Sequence, residues 1–180
     1  MSNSDFNLLP LGADNLDKLP DALGMRSCAE CMHWEDPDFW CSGDPPEILR
    51  TKKNNWFRRT SQQFDPCGFV ATDNAGVTIA FAEFAPAEMF AGLDESLQIS
   101  PDAPLVACLT VAEAWQGCGL GKAMVAAIEQ SCASHGAKRV QTLCTTGPRR
   151  NPSGPQEFWE SVGYYVAGRN DKTLLLVKEL

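Results

Sequence analysis

Long apolar runs are missing from this sequence. No stretch approaches the ~18 consecutive apolar residues that read as a membrane-crossing helix, so no membrane partner is expected. Clustered basic charge is also scarce. Beyond Arg58-Arg59 and Arg149-Arg150 there is no basic patch, and the net charge is −8, which argues against binding nucleic acid through its phosphates. A cationic partner, such as a protonated amine, suits that balance better, although acidity also serves plain solubility. The opening residues, Met1 to Asp5, lack both a basic region and an apolar core; the expectation is a cytoplasmic protein. Neither an internal repeat nor a compositional break divides the chain, so residues 1–180 are expected to form one domain. At 180 residues and 44% hydrophobic content it can bury a substantial core.

Cysteine, by contrast, is plentiful: eight residues, at 28, 31, 41, 67, 108, 118, 132 and 144. Without an export signal they read as thiols rather than as a disulfide framework. Cys108, Cys132 and Cys144 fall within apolar patterns and read as small core residues.

The hydrophobic pattern yields an order of elements. Phe6 to Leu11 reads as a strand, with Pro10 placing it at a sheet edge. Asp14 is a candidate cap for a helix running to Leu23, with Gly24 as its stop and Pro20 making it short or irregular. Residues 25 to 44 have no clean period. Pro45 to Gln63 reads as a helix whose face carries Ile48, Leu49, Lys52, Trp56, Phe57 and Thr60. Cys67–Ala71 and Val77–Phe84 flank a turn, giving a hairpin. Residues 85 to 103 form a loop or short helix. Leu105–Val111 is a strand and Leu120–Ser134 a helix, with Leu120, Met124, Ile128 and Cys132 on one face and Gly136 beyond its end. Arg139–Thr145 is a strand, 147–155 a loop and Pro155–Val162 a short helix. Tyr164–Gly168 and Lys172–Lys178 are the last two strands.

Between the Leu105–Val111 strand and the next helix lies Gln116-Gly117-Cys118-Gly119-Leu120-Gly121-Lys122. A glycine turn opening a helix presents unpaired amides to an anion, and the helix dipole favours the same charge. A Walker A loop does not fit, since Gln116 stands for its first glycine and Ala123 for its hydroxyl residue. A dinucleotide fingerprint does not fit either, because Lys122 occupies its third glycine position. What is spelled is Gln-x-x-Gly-x-Gly at 116, 119 and 121, which resembles the acyl-CoA pyrophosphate loop of the GNAT superfamily of N-acetyltransferases. The order of elements is similar to that of the family over most of the chain, most closely from Leu105 to Gly168.

That resemblance implies an α/β (α+β) fold, the GNAT acyl-CoA N-acyltransferase fold. In it a mixed twisted sheet, with splayed central parallel strands, is flanked by helices. The splayed pair would be Leu105–Val111 and Arg139–Thr145, joined by a right-handed crossover. Acetyl-CoA would be the acyl donor. Leu109 and Val111 would bond the pantetheine amides, with an amide of Leu109, Thr110 or Val111 polarising the thioester carbonyl. The main chain of Gln116, Gly117, Cys118, Gly119, Leu120, Gly121 and Lys122 would hold the diphosphate. Cys118 would take part only through its backbone, and Lys122 either adds charge or stays in solvent.

The chemistry so implied is direct attack by an amine, which must first lose a proton. Glu83 is the catalytic base chosen here, near the end of the hairpin's second strand. The alternation of Ile79-Ala80-Phe81-Ala82-Glu83-Phe84, taken by itself, puts it on the solvent face instead. Glu113 and Glu35 are the other candidates. The family's usual acid is a tyrosine four residues before a Gly-aromatic pair. Here that pair is Gly163-Tyr164 and the residue is Trp159, which is no useful proton source.

The segment Cys28-Ala29-Glu30-Cys31-Met32-His33-Trp34-Glu35 resembles a small bacterial branch of the same superfamily. Cys28, Cys31, His33 and Cys41 could supply four zinc ligands, but a structural site normally has two well-separated pairs and His33 lies only two residues after Cys31, which makes tetrahedral closure awkward, and no metal is assigned. Trp34, Glu35, Trp40 and Trp56 could cage a cation, or the tryptophans could simply build core. Three readings follow. The first is an acetyl-CoA-dependent N-acetyltransferase acting on a small-molecule amine or an amino terminus, with room for a homodimer. The second is a fold-sharing acyl-CoA binder with regulatory or degenerate activity. The third is a metal or thiol-redox module built on residues 28–41.

Overall fold

The structure, a computed structural model, describes residues 6–20, 23, 27–93, 96–145 and 153–180. Its strands are β1 (Phe6–Leu11), β2 (Gly68–Asp73), β3 (Thr78–Pro86), β4 (Pro104–Val111), β5 (Arg139–Thr145), β6 (Tyr165–Arg169) and β7 (Thr173–Glu179). They form one sheet in the order β1-β2-β3-β4-β5-β7-β6. Every neighbouring pair is antiparallel except β4 and β5. The helices are α1 (Phe39–Ser42), α2 (Pro46–Ser61), α3 (Leu120–Ser134) and α4 (Gln156–Ser161). Among the described residues no helix is long and apolar enough to cross a membrane.

Most elements form where their patterns put them. β1 is an edge strand, where the missing N–H of Pro10 can be tolerated. The β2–β3 turn is fixed by Asp73, whose carboxylate accepts the amides of Ala75 and Val77, both at 2.9 Å. α3 buries Leu120, Met124, Val125, Ile128 and Cys132, the expected apolar stripe.

Two expectations need correction. Of the helix expected from Asp14 to Leu23, the described residues form only a 3-10 turn, at Leu16–Lys18. Pro20 can donate no helical bond, and its carbonyl instead accepts the amide of Ala29 at 3.2 Å. Gly24 and most of the 147–155 loop lie outside the described residues. In α2 the buried stripe is Lys53, Trp56, Phe57 and Thr60, so its charged member is Lys53 and not Lys52. Ile48 is exposed, and Lys52 bridges Asp36 and Asp44 at the rim, at 2.8 and 2.7 Å. A smaller shift moves Tyr164 out of the strand, which starts at Tyr165.

What positions the site is the break in the middle of the sheet. β4 and β5 pair only at Leu105↔Gln141 and Val106↔Thr142, although the strands continue to Val111 and Thr145. A bulge coincides with the break: Glu83 pairs with Cys108 but Phe84 pairs with Val106, leaving Ala107 as the extra residue on β4. Bulges bend the strand that carries them. At the last paired position Thr142 Oγ1 donates to the Val106 carbonyl at 3.0 Å. Beyond it, β5 turns to another partner: Ser153 Oγ donates to the Leu143 carbonyl, and Cys144 Sγ to that of Gly154 at 3.4 Å.

Side chains alternate across the sheet, so β3 and β4 present different sets to its two faces. Phe81, Glu83, Cys108 and Thr110 share the face on which Lys53 of α2 lies. Ala80, Ala82, Leu109 and Val111 share the other, where Gly121 of α3 comes close to Val111. Small alanines there allow α3 to approach.

Candidate active site

The glycine turn leads from the open side of β4 into α3. Gly117 and Gly119 have φ of +74° and +92°, which side-chain-bearing residues rarely adopt. With that backbone, the amides of Gly117, Cys118, Gly119, Leu120, Gly121 and Lys122 donate to no protein acceptor among the described residues, and the first helical bond is Ala123 to Gly119 O at 3.0 Å. Six adjacent donors at a helix N-terminus suit a diphosphate. Gln116 departs from the set: its amide is engaged by the Glu113 carbonyl at 3.1 Å. Its side chain ties the turn to β4 instead, donating to the Val111 carbonyl at 3.1 Å. The Cys118 thiol donates to the Trp115 carbonyl at 2.8 Å, which leaves its amide as its contribution. Gly121 has a packing reason of its own, because a Cβ there would meet the Phe158 ring at 3.2 Å.

β4 supplies the second set of groups. The amide of Ala112 bonds the Ile79 carbonyl at 2.8 Å. In that register Thr110 and Cys108 hydrogen-bond to β3, while the N–H and C=O of Leu109 and Val111 point away from it, toward the gap left by β5. The Thr110 main chain is thus committed to Phe81. An extended chain entering the gap would meet Leu109 and the amide of Val111 as an unpaired strand edge. Free edge and free amides together give a pantetheine diphosphate the donors and acceptors it requires.

On the opposite face sits a buried charge cluster. Glu83 is 1% exposed, not on the solvent face that the alternation suggested, because β3 is covered on both sides. Its Oε2 accepts from Lys53 Nζ at 2.5 Å, and the same ammonium bonds Glu35 Oε1. All three residues are buried. Burial and the neighbouring Glu35 charge push the Glu83 carboxyl well above its ordinary range, outweighing Lys53. Burial also opposes charge on Glu35, yet Lys53 beside it brings that carboxyl below its usual value. Burial weakens the hold of Lys53 on its proton, and the two carboxylates more than restore it, raising the ammonium above its ordinary value. Sequence reasoning named both glutamates but not their lysine. The available signal was position 53 itself, a lysine three residues before Trp56 and four before Phe57.

Other candidates are placed elsewhere. Glu113 is exposed in the turn after β4. The four-residue cage disperses: Trp56 is core, with Nε1 donating to the Met89 carbonyl at 2.9 Å, Trp40 is 59% exposed, and Glu35 is paired with Lys53. Trp159 is fully buried and donates to the Ser153 carbonyl at 2.7 Å, which makes it a packing residue. None of the eight cysteines is in a disulfide. Burial pushes the Cys28 thiol up to about 11 and raises that of Cys31, opposite to what thiolate chemistry needs. His33 accepts from Trp40 Nε1 at 2.9 Å. Among the described residues no three His, Cys, Asp or Glu side chains converge as a metal site requires. Two open cavities, of about 330 and 470 Å³, lie by Arg139 at the start of β5, far from the glycine turn.

Comparison with known proteins agrees with this geometry. The family model described as acetyltransferase (GNAT) family matches residues 28–164. No curated protein sequence matches the chain. Among solved structures it is similar to a PaiA N-acetyltransferase from Thermoplasma acidophilum in complex with coenzyme A, at 15% identity and a TM-score of 0.63, with 100% of each chain covered. A GNAT family acetyltransferase from Listeria monocytogenes follows at 16% and 0.58, covering 97% of this chain and 95% of that one. A chain of the NatC complex bound to Gag peptide and CoA aligns at 11% and 0.59, covering 98% and 99%. At such identities these likenesses speak for the fold.

Proposed function

The chain belongs to the acetyltransferase (GNAT) family, and from that premise we propose that it acetylates a primary amine, on a small molecule or an amino terminus, by direct attack. The acyl donor is acetyl-CoA, which supplies an activated thioester carbonyl when bound. The amides from Gly117 to Lys122 would hold its diphosphate, and Gln116 keeps that turn in line with β4. Leu109 and the Val111 amide would orient the pantetheine arm along the open edge. An amide on that edge would donate to the carbonyl oxygen as charge builds there. Glu83 lies on the opposite face of β4 from α3, next to the same break, and we assign it as the base. Its Oε1 would take the proton that an amine of pKa ~10 must lose at neutral pH. The observation that carries this reading is the unpaired strand edge beside six unpaired amides.

The Cys28-to-Glu35 loop, which supplies Glu35, is our reason for placing the chain in the Cys-x-x-Cys branch of the family. A second reading, an acyl-CoA binder without turnover, draws on Trp159, whose buried N–H is already spent on Ser153 where the family carries a tyrosine. Thiol release from acetyl-CoA across a panel of primary amines and peptide amino termini separates the two. The proposal expects at least one acceptor to accelerate release. It also expects Glu83→Gln to lower kcat at least about 100-fold with acetyl-CoA affinity unchanged, the scale on which a positioned base contributes. Tight acetyl-CoA binding with no acceptor in the panel would favour the second reading, and a wild-type rate in Glu83→Gln would strike Glu83 from the mechanism.

A further inference from the structure

Glu83 interacts electrostatically with five other ionisable residues: Lys53 from α2, Glu35, Cys28 and Cys31 from the loop before α1, and Cys108, its register partner on β4. Cys67, just before β2, also senses its charge. The thiols are neutral, so the charge count rests on two carboxylates and one ammonium. Fully ionised, the cluster would bury one uncompensated negative charge, which a low-dielectric interior disfavours. One carboxylate must therefore be the one that takes and gives a proton.

The hydrogen bonds say which. Glu35 is satisfied as an anion: Oε1 receives Lys53, and Oε2 receives the amide of Trp34 at 3.1 Å. The loop holding it is itself stapled down. The Trp34 carbonyl accepts the Gly92 amide at 2.7 Å, and a Cβ at Gly92 would lie 2.9 Å from the carbonyl oxygens of His33 and Trp34. Glu83 has Lys53 on Oε2 and shares a carboxyl–carboxyl hydrogen bond with Glu35, while its Oε1 is buried without a partner. An oxygen so placed needs either a proton of its own or a donor brought from outside.

We propose that Lys53 and Glu35 are positioning residues for the transfer reaction: they clamp one oxygen of Glu83 and leave the other as the cluster's proton-exchanging atom. This rests on the assignment of Glu83 as the base. In this arrangement Lys53 fixes the orientation of the carboxylate, while the fixed negative charge of Glu35 raises its affinity for a proton toward that of a base useful near neutrality. The Cys-x-x-Cys loop thereby acquires a role without metal or redox chemistry, as the support that delivers Glu35.

The test follows the Glu83 proton directly, by infrared titration of the full-length protein without ligand. The band of the protonated carboxyl is assigned by its loss in Glu83→Gln. Glu35→Gln is nearly isosteric and should lower the titration midpoint by on the order of one pH unit, since a like charge has been removed. Lys53→Met should raise it by a similar amount, and Lys53→Arg should return it near the wild-type value. The acid limb of kcat/KM, measured with acetyl-CoA and the best amine of the panel, should shift in the same order, with KM for acetyl-CoA within about twofold of wild type. A midpoint that stays in place or rises in Glu35→Gln overturns the positioning role even if Glu83→Gln is inactive. The absence of any band lost in Glu83→Gln overturns it too. Full activity in Glu83→Gln removes the base itself, a different failure and separately visible. Should Lys53→Met not fold, Glu35→Gln and Lys53→Arg decide the matter.

Discussion

Gly119 and Lys53 mark two ends of what single residues contribute. Gly119, with φ at +92°, turns the chain within a run of six amides that donate to no protein acceptor among the described residues. Any side chain there meets backbone strain of about 1–2 kcal/mol, yet a Cβ finds open space around it. Gly119→Glu should therefore remain folded and lose at least about 100-fold in acetyl-CoA affinity, because a carboxylate would stand where anion-binding donors converge. Calorimetry checks this, and unchanged affinity would remove the turn from the binding site. The glycine spacing was legible in the sequence because local geometry demands it. The partners of Lys53 were not legible: its position before Trp56 and Phe57 puts it on the buried face of α2, but only the folded chain brings Glu35 and Glu83, 18 and 30 residues away, to its ammonium.

Whole elements were readable where one periodicity dominated. α3 and β5 have the bounds their patterns gave, Leu120–Ser134 and Arg139–Thr145. The helix expected from Asp14 was not, since a short segment holding Pro20 gains too little from propensity without tertiary support. α4 illustrates how one element serves another. Trp159 fixes the chain at Ser153, and Ser153 in turn engages the edge of β5 that has left β4. Trp159→Phe should cost about 1–3 kcal/mol of stability, by leaving the Ser153 carbonyl short of a donor. If Trp159 only packs, kcat per folded enzyme should hold within about twofold; a tenfold loss would make the indole part of the chemistry. Across the sheet, Lys178 of β7 donates to both Glu129 oxygens at 2.8 Å and to the Val162 carbonyl at 2.9 Å, tying α3 to the end of α4. Lys178→Met should lower the midpoint of thermal unfolding by several degrees and leave acetyl-CoA affinity unchanged, which thermal melts and calorimetry can check.

For the molecule as a whole, the buried carboxylates make stability depend on pH in opposite senses. Glu83 has a raised value in the folded state. Its contribution is full below the ordinary carboxylate range and is lost as pH rises through that raised value. Glu35 has a lowered value, so its contribution is present above the ordinary range and is lost as pH falls through the lowered one. Glu83→Gln removes the first dependence. Its melting temperature should gain on the wild type as pH rises above the ordinary carboxylate range; a constant difference at all pH values would contradict the assignment. The gap between β4 and β5 is likewise a property of the whole chain. Nothing in either strand's pattern announces it, and it arises from a bulge at Ala107 together with the chain at Ser153 and Gly154 meeting β5. It was expected only through the family resemblance that the glycine turn prompted.

That gap and turn are tested together by titrating coenzyme A into isotope-labelled protein and following the backbone amide resonances. The account expects the amides of Gly117 to Lys122 to shift and to gain protection from exchange, with Leu109 and Val111 following and β1 unchanged. Saturable binding of coenzyme A that leaves the amides from 117 to 122 unmoved would contradict it.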